Sequence, residues 1–313
     1  MSITVVGSIA FDTVKTPFGR RERMLGGAAT HFALAASFFD RVHIVGPVGS
    51  DFTEAEMAIL RTRGANVEDV ERVADGRTFF WEGEYGWDLN SRETLDTQLN
   101  VFERFDPKLS PASSQSDVLF LANIQPELQL QVREQCEGAR FVALDSMNLW
   151  IDIARDALLE VIARVDCVIL NDAELRQLTE RPNLVSAARE VLKLGPSVVV
   201  AKQGEYGAAL ITDEEFFALP AYPLETVVDP TGAGDTFAGG FVGHLARHLD
   251  GRPPSGDVLR QSMAYGTALA SFNVEAFGTD RVVPLSAEKI GERVGDLRRM
   301  TRFEEDSAPL PVR

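Results

Sequence analysis

Asp229-Pro230-Thr231-Gly232-Ala233-Gly234-Asp235-Thr236-Phe237-Ala238-Gly239-Gly240-Phe241 is the stretch from which the rest of the chain can be read. Pro230 has no N–H to give to a sheet and ends whatever strand precedes it. Gly232, Ala233 and Gly234 then supply a backbone that can bring consecutive N–H groups close to a ligand. Phe237, Phe241, Leu245 and Leu249 recur every four residues, which predicts a helix starting near Gly234 or Asp235. A turn of small residues feeding a helix N-terminus is an anion site, because unpaired amides and the helix dipole point at the ligand. Asp235 in the first turn reads most plainly as a cap, yet a cap alone would not call for three small residues before it. With a phosphoryl group on those amides, the carboxylate would lie beside it and could accept a proton from an attacking hydroxyl. Phosphoryl transfer needs that pairing of donors for the developing charge and a base for the nucleophile. Other phosphate motifs fit poorly: the chain has no G-x-x-x-x-G-K-[ST] run, and Val6-Gly7-Ser8-Ile9 is not a G-x-G-x-x-G turn.

Upstream of this turn, short β-branched runs recur at 3–6, 42–45, 117–121, 140–144, 166–170 and 197–201. Helical patterns separate them. Phe52 to Arg63 follows Ser50-Asp51, either of which could cap it, and Ile153 to Ala163 is strongly amphipathic. Continuous apolar strands alternating with helices predict a doubly wound α/β fold, a mostly parallel sheet flanked by helices on both faces. Residues 13–25, polar and basic with Pro17 and Gly19, and residues 77–105, which read as hairpin strands, break this rhythm. They are expected to form a small β lid inserted in a main domain made of 1–12, 26–76 and 106–313, although a decorative surface hairpin would look the same. The segment from about Phe303 to Arg313, with Pro309 and Pro311, reads as a loosely held tail.

Forty-seven acidic against 31 basic residues give a net charge of −16, which argues against nucleic-acid and anionic-membrane partners. It does not argue against a phosphorylated ligand, which backbone amides and one or two cations can hold locally. Cys136 and Cys167 are the only cysteines in the 313 residues, and Cys167 sits in the apolar run Asp166 to Leu170. A disulfide framework is therefore not expected. The opening Ile3-Thr4-Val5-Val6-Gly7 reads as a strand rather than a leader, and no apolar run approaches the roughly 18 residues of a membrane span. A soluble cytoplasmic protein is the expectation.

Asp229 to Phe241 resembles the C-terminal signature D-[PT]-T-G-A-G-D-x-F of the ribokinase-like (PfkB) carbohydrate kinase family, without a departure. The resemblance extends along the chain. Leu25-Gly26-Gly27-Ala28-Ala29 is similar to the Gly-Gly element that receives the sugar, and Gly7 and Asp12 to the strand-end segment whose Asp binds substrate hydroxyls. Gly46 to Asp51 looks like the family's second glycine segment. Asn171-Asp172-Ala173-Glu174 matches its N-x-x-E element, and Ala201-Lys202-Gln203-Gly204-Glu205-Tyr206-Gly207-Ala208 its phosphate-lining strand and turn. Asn273 and Gly278 fall where the family closes over adenine, and the two insertions fall where its lid falls.

The resemblance implies an ATP-dependent kinase acting on a hydroxyl of a sugar or nucleoside. Asp235 would be the base and the amides of Gly232, Ala233 and Gly234 the anion hole. Asp12, Gly26, Gly27, His31, Trp81 and Asn148 are the candidate acceptor-binding residues. Asn171, Lys202, Gly204, Gly207, Thr231 and Asn273 are the nucleotide-binding ones. Asn171 and Glu174 would hold Mg²⁺ through water, and a monovalent cation could accompany it. A homodimer through the lid is a further expectation. Two departures lie in the expected acceptor pocket: Ala28-Ala29-Thr30-His31 replaces the Lys and Asn that ribokinases carry after Gly-Gly, and Asp145-Ser146-Met147-Asn148 lacks the Arg of D-x-N-x-R. A sugar phosphate would call for a cation beside the Gly-Gly helix, whereas a nucleobase calls for an aromatic surface such as Phe11, Phe32 or Trp81. That favours a nucleoside phosphorylated at its 5′-hydroxyl, with a free sugar as the alternative. A non-catalytic sugar- or nucleotide-binding regulator is the reading from another class.

Overall fold

Alternation in the strand sequences sorts side chains to the two faces of one central sheet, as a pleat with a period of two residues requires. In the computed structural model, which describes residues 1–302, that sheet has nine strands. They are β1 (Ser2–Val6), β4 (Arg41–Gly49), β5 (Val70–Val73), β8 (Val118–Leu121), β9 (Phe141–Leu144), β10 (Cys167–Asn171), β11 (Val198–Lys202), β12 (Ala208–Ile211) and β13 (Phe216–Leu219). Their spatial order is β13-β12-β11-β10-β9-β8-β1-β4-β5. All neighbours run parallel except β12, antiparallel to both β11 and β13.

One face buries Val5, Phe120, Ile169 and Val200 under helices α1 (Ala28–Ala36), α2 (Glu54–Leu60), α9 (Ala233–Arg247), α10 (Gly256–Asn273) and α11 (Ala287–Met300). The other buries Val6, Leu121, Leu170 and Val199 under α4 (Pro126–Gln135), α5 (Asn148–Ile153), α6 (Arg155–Ile162), α7 (Asp172–Thr179) and α8 (Leu184–Leu192). A short α3 (Pro111–Ser114) leads into β8. Helix α9 is wedged between α1 and α10 by its glycines. A Cβ on Gly239 would stand 2.3 Å from the Phe32 carbonyl oxygen, and one on Gly240 2.9 Å from the Gly266 Cα. Burial of this depth makes single core residues costly to truncate: Phe32, fully buried and stacked on Phe120 at 4.1 Å, is worth about 3–5 kcal/mol against alanine.

A second sheet of four strands, β2 (Ala10–Thr16), β3 (Gly19–Gly26), β6 (Phe79–Tyr85) and β7 (Arg92–Gln98), is ordered β3-β2-β6-β7. Asp12, read from the sequence as ending the first strand, instead stands inside β2, paired in register with Met24 on one side and Trp81 on the other. Two local expectations also change. Helix α2 is capped by Thr53 in a reciprocal box with Glu56, while the Asp51 carboxylate accepts from the N–H and hydroxyl of Thr78, both at 2.8 Å. The amphipathic run 153–163 is broken at Ala154, whose φ of −139° separates α5 from α6. Cys136 and Cys167 are both buried and free. Among the described residues no helix is long and apolar enough to cross a membrane. The tail expected from Phe303 onward lies outside the described residues.

Candidate active site

Parallel strands end together, and the crevice beyond their carboxyl ends is where open α/β sheets bind ligands. Asp145 follows β9, Asn171 ends β10 and Lys202 ends β11, so three polar side chains stand along that edge directly after apolar runs. Lys202 Nζ lies 2.9 Å from Asp145 Oδ2, with the lysine 18 % and the aspartate 6 % exposed. Asn171 caps α7. Its Oδ1 accepts from the Glu174 N–H at 2.7 Å, and Glu174 Oε2 accepts from the Asn171 N–H at 2.8 Å.

The glycine turn faces this edge. Gly232 has φ +73°, a left-handed conformation that side chains resist, and α9 begins at the next residue with no side-chain cap. The amides of Gly232 and Gly234 are therefore available to a ligand, whereas Ala233, expected beside them in the anion hole, donates its N–H to the Pro230 carbonyl at 3.2 Å. Lys202 leans on the turn, since a Cβ on Gly234 would lie 3.2 Å from its Nζ. Fully buried Asp229 braces the approach, with its carboxylate accepting from the Thr231 N–H at 2.9 Å and the Gly278 N–H at 3.1 Å.

Two buried carboxyls, Asp12 and Glu174, and a partly buried one, Asp235, meet here with few cations to match them. Burial, then the neighbouring Asp145 charge, pushes the Asp235 carboxyl up to about 7 against the pull of Lys202. Burial, with Asp229 and Asp235 behind it, raises Asp12 to about 7, opposed by the Gly27 N–H and Arg92. Glu174 is also raised to about 7 by burial and Asp145, with Lys202 opposing. Burial disfavours the Lys202 ammonium, but Asp145 and Glu174 outweigh it and raise its pKa. Such a surplus of negative charge suits a divalent cation. Among the described residues no three His, Cys, Asp or Glu side chains are placed to ligate one ion directly. One oxygen of Glu174 and the amide of Asn171 are committed to the cap, so the fit is to a hydrated ion.

Across from the turn, a Cβ on Gly26 would stand 2.0 Å from Asp12 Oδ2, so any larger residue would displace that carboxylate. Gly27, with φ +93°, is the N-cap of α1. The register sets Trp81 beside Asp12 and Arg92 beside Tyr85. The Arg92 guanidinium lies 5.4 Å from the Trp81 ring centre, and the Tyr85 hydroxyl 3.2 Å from Thr231 Oγ1. The small sheet thus touches the glycine turn itself. Asn148 is not part of this group, since it is exposed at the start of α5. His31 and Asn273 lie beneath the turn, both buried, and bonded to each other at 3.1 Å.

A cavity of about 510 Å³ adjoins the turn, and its lining includes Lys202, Ala233 and Gly234 together with the apolar Pro223, Val227 and Phe237. Asp88, Leu89 and Asn90, from the tip of the β6–β7 hairpin, form part of its rim, and Asn90 Nδ2 donates to Glu205 Oε1 at 3.1 Å. Asn273 is absent from its lining. A more open groove of about 710 Å³, beside Ser50, Arg77 and Arg104, shares no residue with it. Sequence reasoning did not single out Tyr85 as a site residue, and it named Asp145 only within the run that departs from D-x-N-x-R. Asp145 alone left a usable signal, an acid at the end of the apolar run Phe141 to Leu144.

Comparison with known proteins gives one consistent likeness. A family model described as pfkB family carbohydrate kinase matches residues 2–285. A cytidine kinase of Thermococcus kodakarensis is 31 % identical over 262 residues, covering 81 % of this chain and 90 % of its own. The nucleoside kinase of Methanocaldococcus jannaschii, described as an archaeal member of the ribokinase family, superposes with a TM-score of 0.76 at 21 % identity, over 94 % of this chain and 98 % of its own. Aminoimidazole riboside kinase of Salmonella enterica, solved with aminoimidazole riboside and an ATP analogue, superposes with a TM-score of 0.72 at 21 % identity over 94 % and 100 %.

Proposed function

The chain belongs to the pfkB family of carbohydrate kinases and is a phosphotransferase with an alcohol acceptor; from that premise we propose that it transfers the γ-phosphoryl group of ATP to the 5′-hydroxyl of a nucleoside. The observation that carries the acceptor assignment is the pairing of β2 with β6. It sets a hydroxyl-binding carboxylate, Asp12, next to an aromatic surface, Trp81. The cytidine kinase relative points the same way.

In this reading the nucleotide occupies the 510 Å³ cavity, with its base against the apolar lining of Pro223, Val227 and Phe237 and its phosphates toward Lys202 and the amides of Gly232 and Gly234. Asp12 and the backbone of Gly26 and Gly27 hold the acceptor's ribose. Asp235, as carboxylate, takes the hydroxyl proton while the freed oxygen bonds to the γ-phosphorus. The bond from that phosphorus to the bridging oxygen breaks, and ADP leaves with the electron pair. Amides already aimed at the turn receive the developing charge without reorganising. Asn171 and Glu174 would hold hydrated Mg²⁺, which supplies charge neutralisation on the phosphates. The four-stranded sheet acts as the lid, and its contact between Tyr85 and Thr231 shuts water out of the reacting centre.

The test is kcat/KM, by ADP release, for adenosine, inosine and cytidine beside ribose, fructose and fructose 6-phosphate. The best nucleoside is expected to lead. If it falls below the best sugar by roughly tenfold or more, the nucleoside assignment is wrong.

A further inference from the structure

His31 and Asn273 come from helices 242 residues apart in sequence and meet directly under the anion turn. Asn273 is fully buried with every polar atom of its amide engaged: Nδ2 donates to the Thr231 carbonyl at 2.7 Å, and Oδ1 accepts from the Thr236 hydroxyl at 3.1 Å. That orientation makes Oδ1 the acceptor for His31 too, so His31 donates from Nδ1 and keeps its lone pair on Nε2. Nε2 is buried and has no hydrogen-bond partner among the described residues. The ring sits against Gly232: a Cβ on that glycine would stand 2.4 Å from both Nε2 and Cδ2. Two helices, α1 and α10, thereby grip residues 231, 232 and 236 at the start of α9, on either side of the amides that face the ligand.

We propose that His31 and Asn273 are positioning residues, a clamp that holds Thr231 and Gly232 so that the amides of Gly232 and Gly234 keep the geometry the transferred phosphoryl group needs. The inference rests on the kinase reading of that turn. It reassigns both residues from ligand contact to support of the backbone that makes the contact. A role in packing alone would be met by phenylalanine, without leaving a buried ring nitrogen unpaired. A role in binding nucleotide would need Asn273 to face the cavity, and it does not line it. Burial also holds the His31 ring neutral, so it does not draw the phosphoryl dianion away from the amides.

Displacement of a catalytic group by about 1 Å costs on the order of 10²-fold in rate. Asn273→Ala and His31→Ala should therefore each lower kcat by about 100-fold, with KM for the best acceptor and for ATP within about threefold of wild type. His31→Phe, which keeps a ring under Gly232 and loses the bond to Asn273, should restore part of that loss. Hydrogen exchange on the complete, ligand-free protein gives a readout independent of turnover: the bonded turn amides of Thr231 and Ala233 should exchange faster in Asn273→Ala, with the rest of α9 and α10 unchanged. A rise in acceptor KM of tenfold or more at wild-type kcat would make His31 a substrate contact and overturn the clamp. The same rise for ATP would do so through Asn273. Faster exchange spread evenly over α9 and α10 would reduce the network to core packing. If the wild type turns over none of the alcohols tested, the proposed function fails, and the exchange pattern still decides the clamp.

Discussion

Asp235→Asn keeps the outline of the side chain and removes both its charge and its basicity. The wild-type carboxyl is held at about 7 in place of 3.8, because burial and the Asp145 charge outweigh Lys202. At 1.36 kcal/mol per pK unit, ionising it in the folded protein costs about 4 kcal/mol. The sign follows from linkage: between pH 4 and 7 the folded state binds more protons than the unfolded one, so wild-type stability falls as pH rises through that window. The amide has no such dependence. The variant should match wild type near pH 4 and exceed it at pH 8, by up to about 4 kcal/mol. Catalysis should move the other way, with a loss on the order of 10²–10⁴ in kcat and little change in ATP affinity. Urea melts at pH 5 and pH 8, read beside an ADP-release assay and calorimetric ATP binding, would measure all three. Near-normal kcat would remove Asp235 from its proposed role. A variant less stable than wild type at pH 8 would refute the account of its ionisation.

Glu174→Gln should raise the Mg²⁺ concentration for half-maximal rate while preserving the cap on α7, because the bond from the Asn171 N–H needs only an acceptor oxygen; an unchanged Mg²⁺ titration would leave Glu174 as a helix-start residue. The four-stranded sheet should gain hydrogen-exchange protection on acceptor binding or bury its aromatics in a homodimer, since Trp87 is 90 % exposed at the hairpin tip. No change in protection together with a strictly monomeric sedimentation profile would defeat that prediction.

Six of the nine strands of the main sheet were legible because each holds an apolar run buried on both faces, whereas β5, β12 and β13 were not read as strands. The runs at 3–6, 117–121, 140–144, 166–170 and 197–201 fall on β1, β8, β9, β10 and β11 within a residue. The turn at 229–241 was legible for a related reason: a left-handed Gly232, an uncapped helix start and an acid in its first turn are all local backbone chemistry. The hairpin of 77–105 could be seen, but its partner could not. Pairing β6 with β2 joins segments 69 residues apart in parallel, and that register decides that Asp12 meets Trp81.

Amino-acid order by itself determined most of the elements, the α/β class and the local backbone chemistry of the glycine turn, since propensity, capping and apolar periodicity act over a few residues. Tertiary structure alone decided which side chains share an environment. Asp145 reaches Lys202 across 57 residues, and His31 reaches Asn273 across 242. Their charges and hydrogen bonds depend on distance in space, and only the packing of helices on the sheet sets that distance. The same packing takes Asp12 and Glu174 out of water and partly shields Asp235, and without it all three would titrate as ordinary acids.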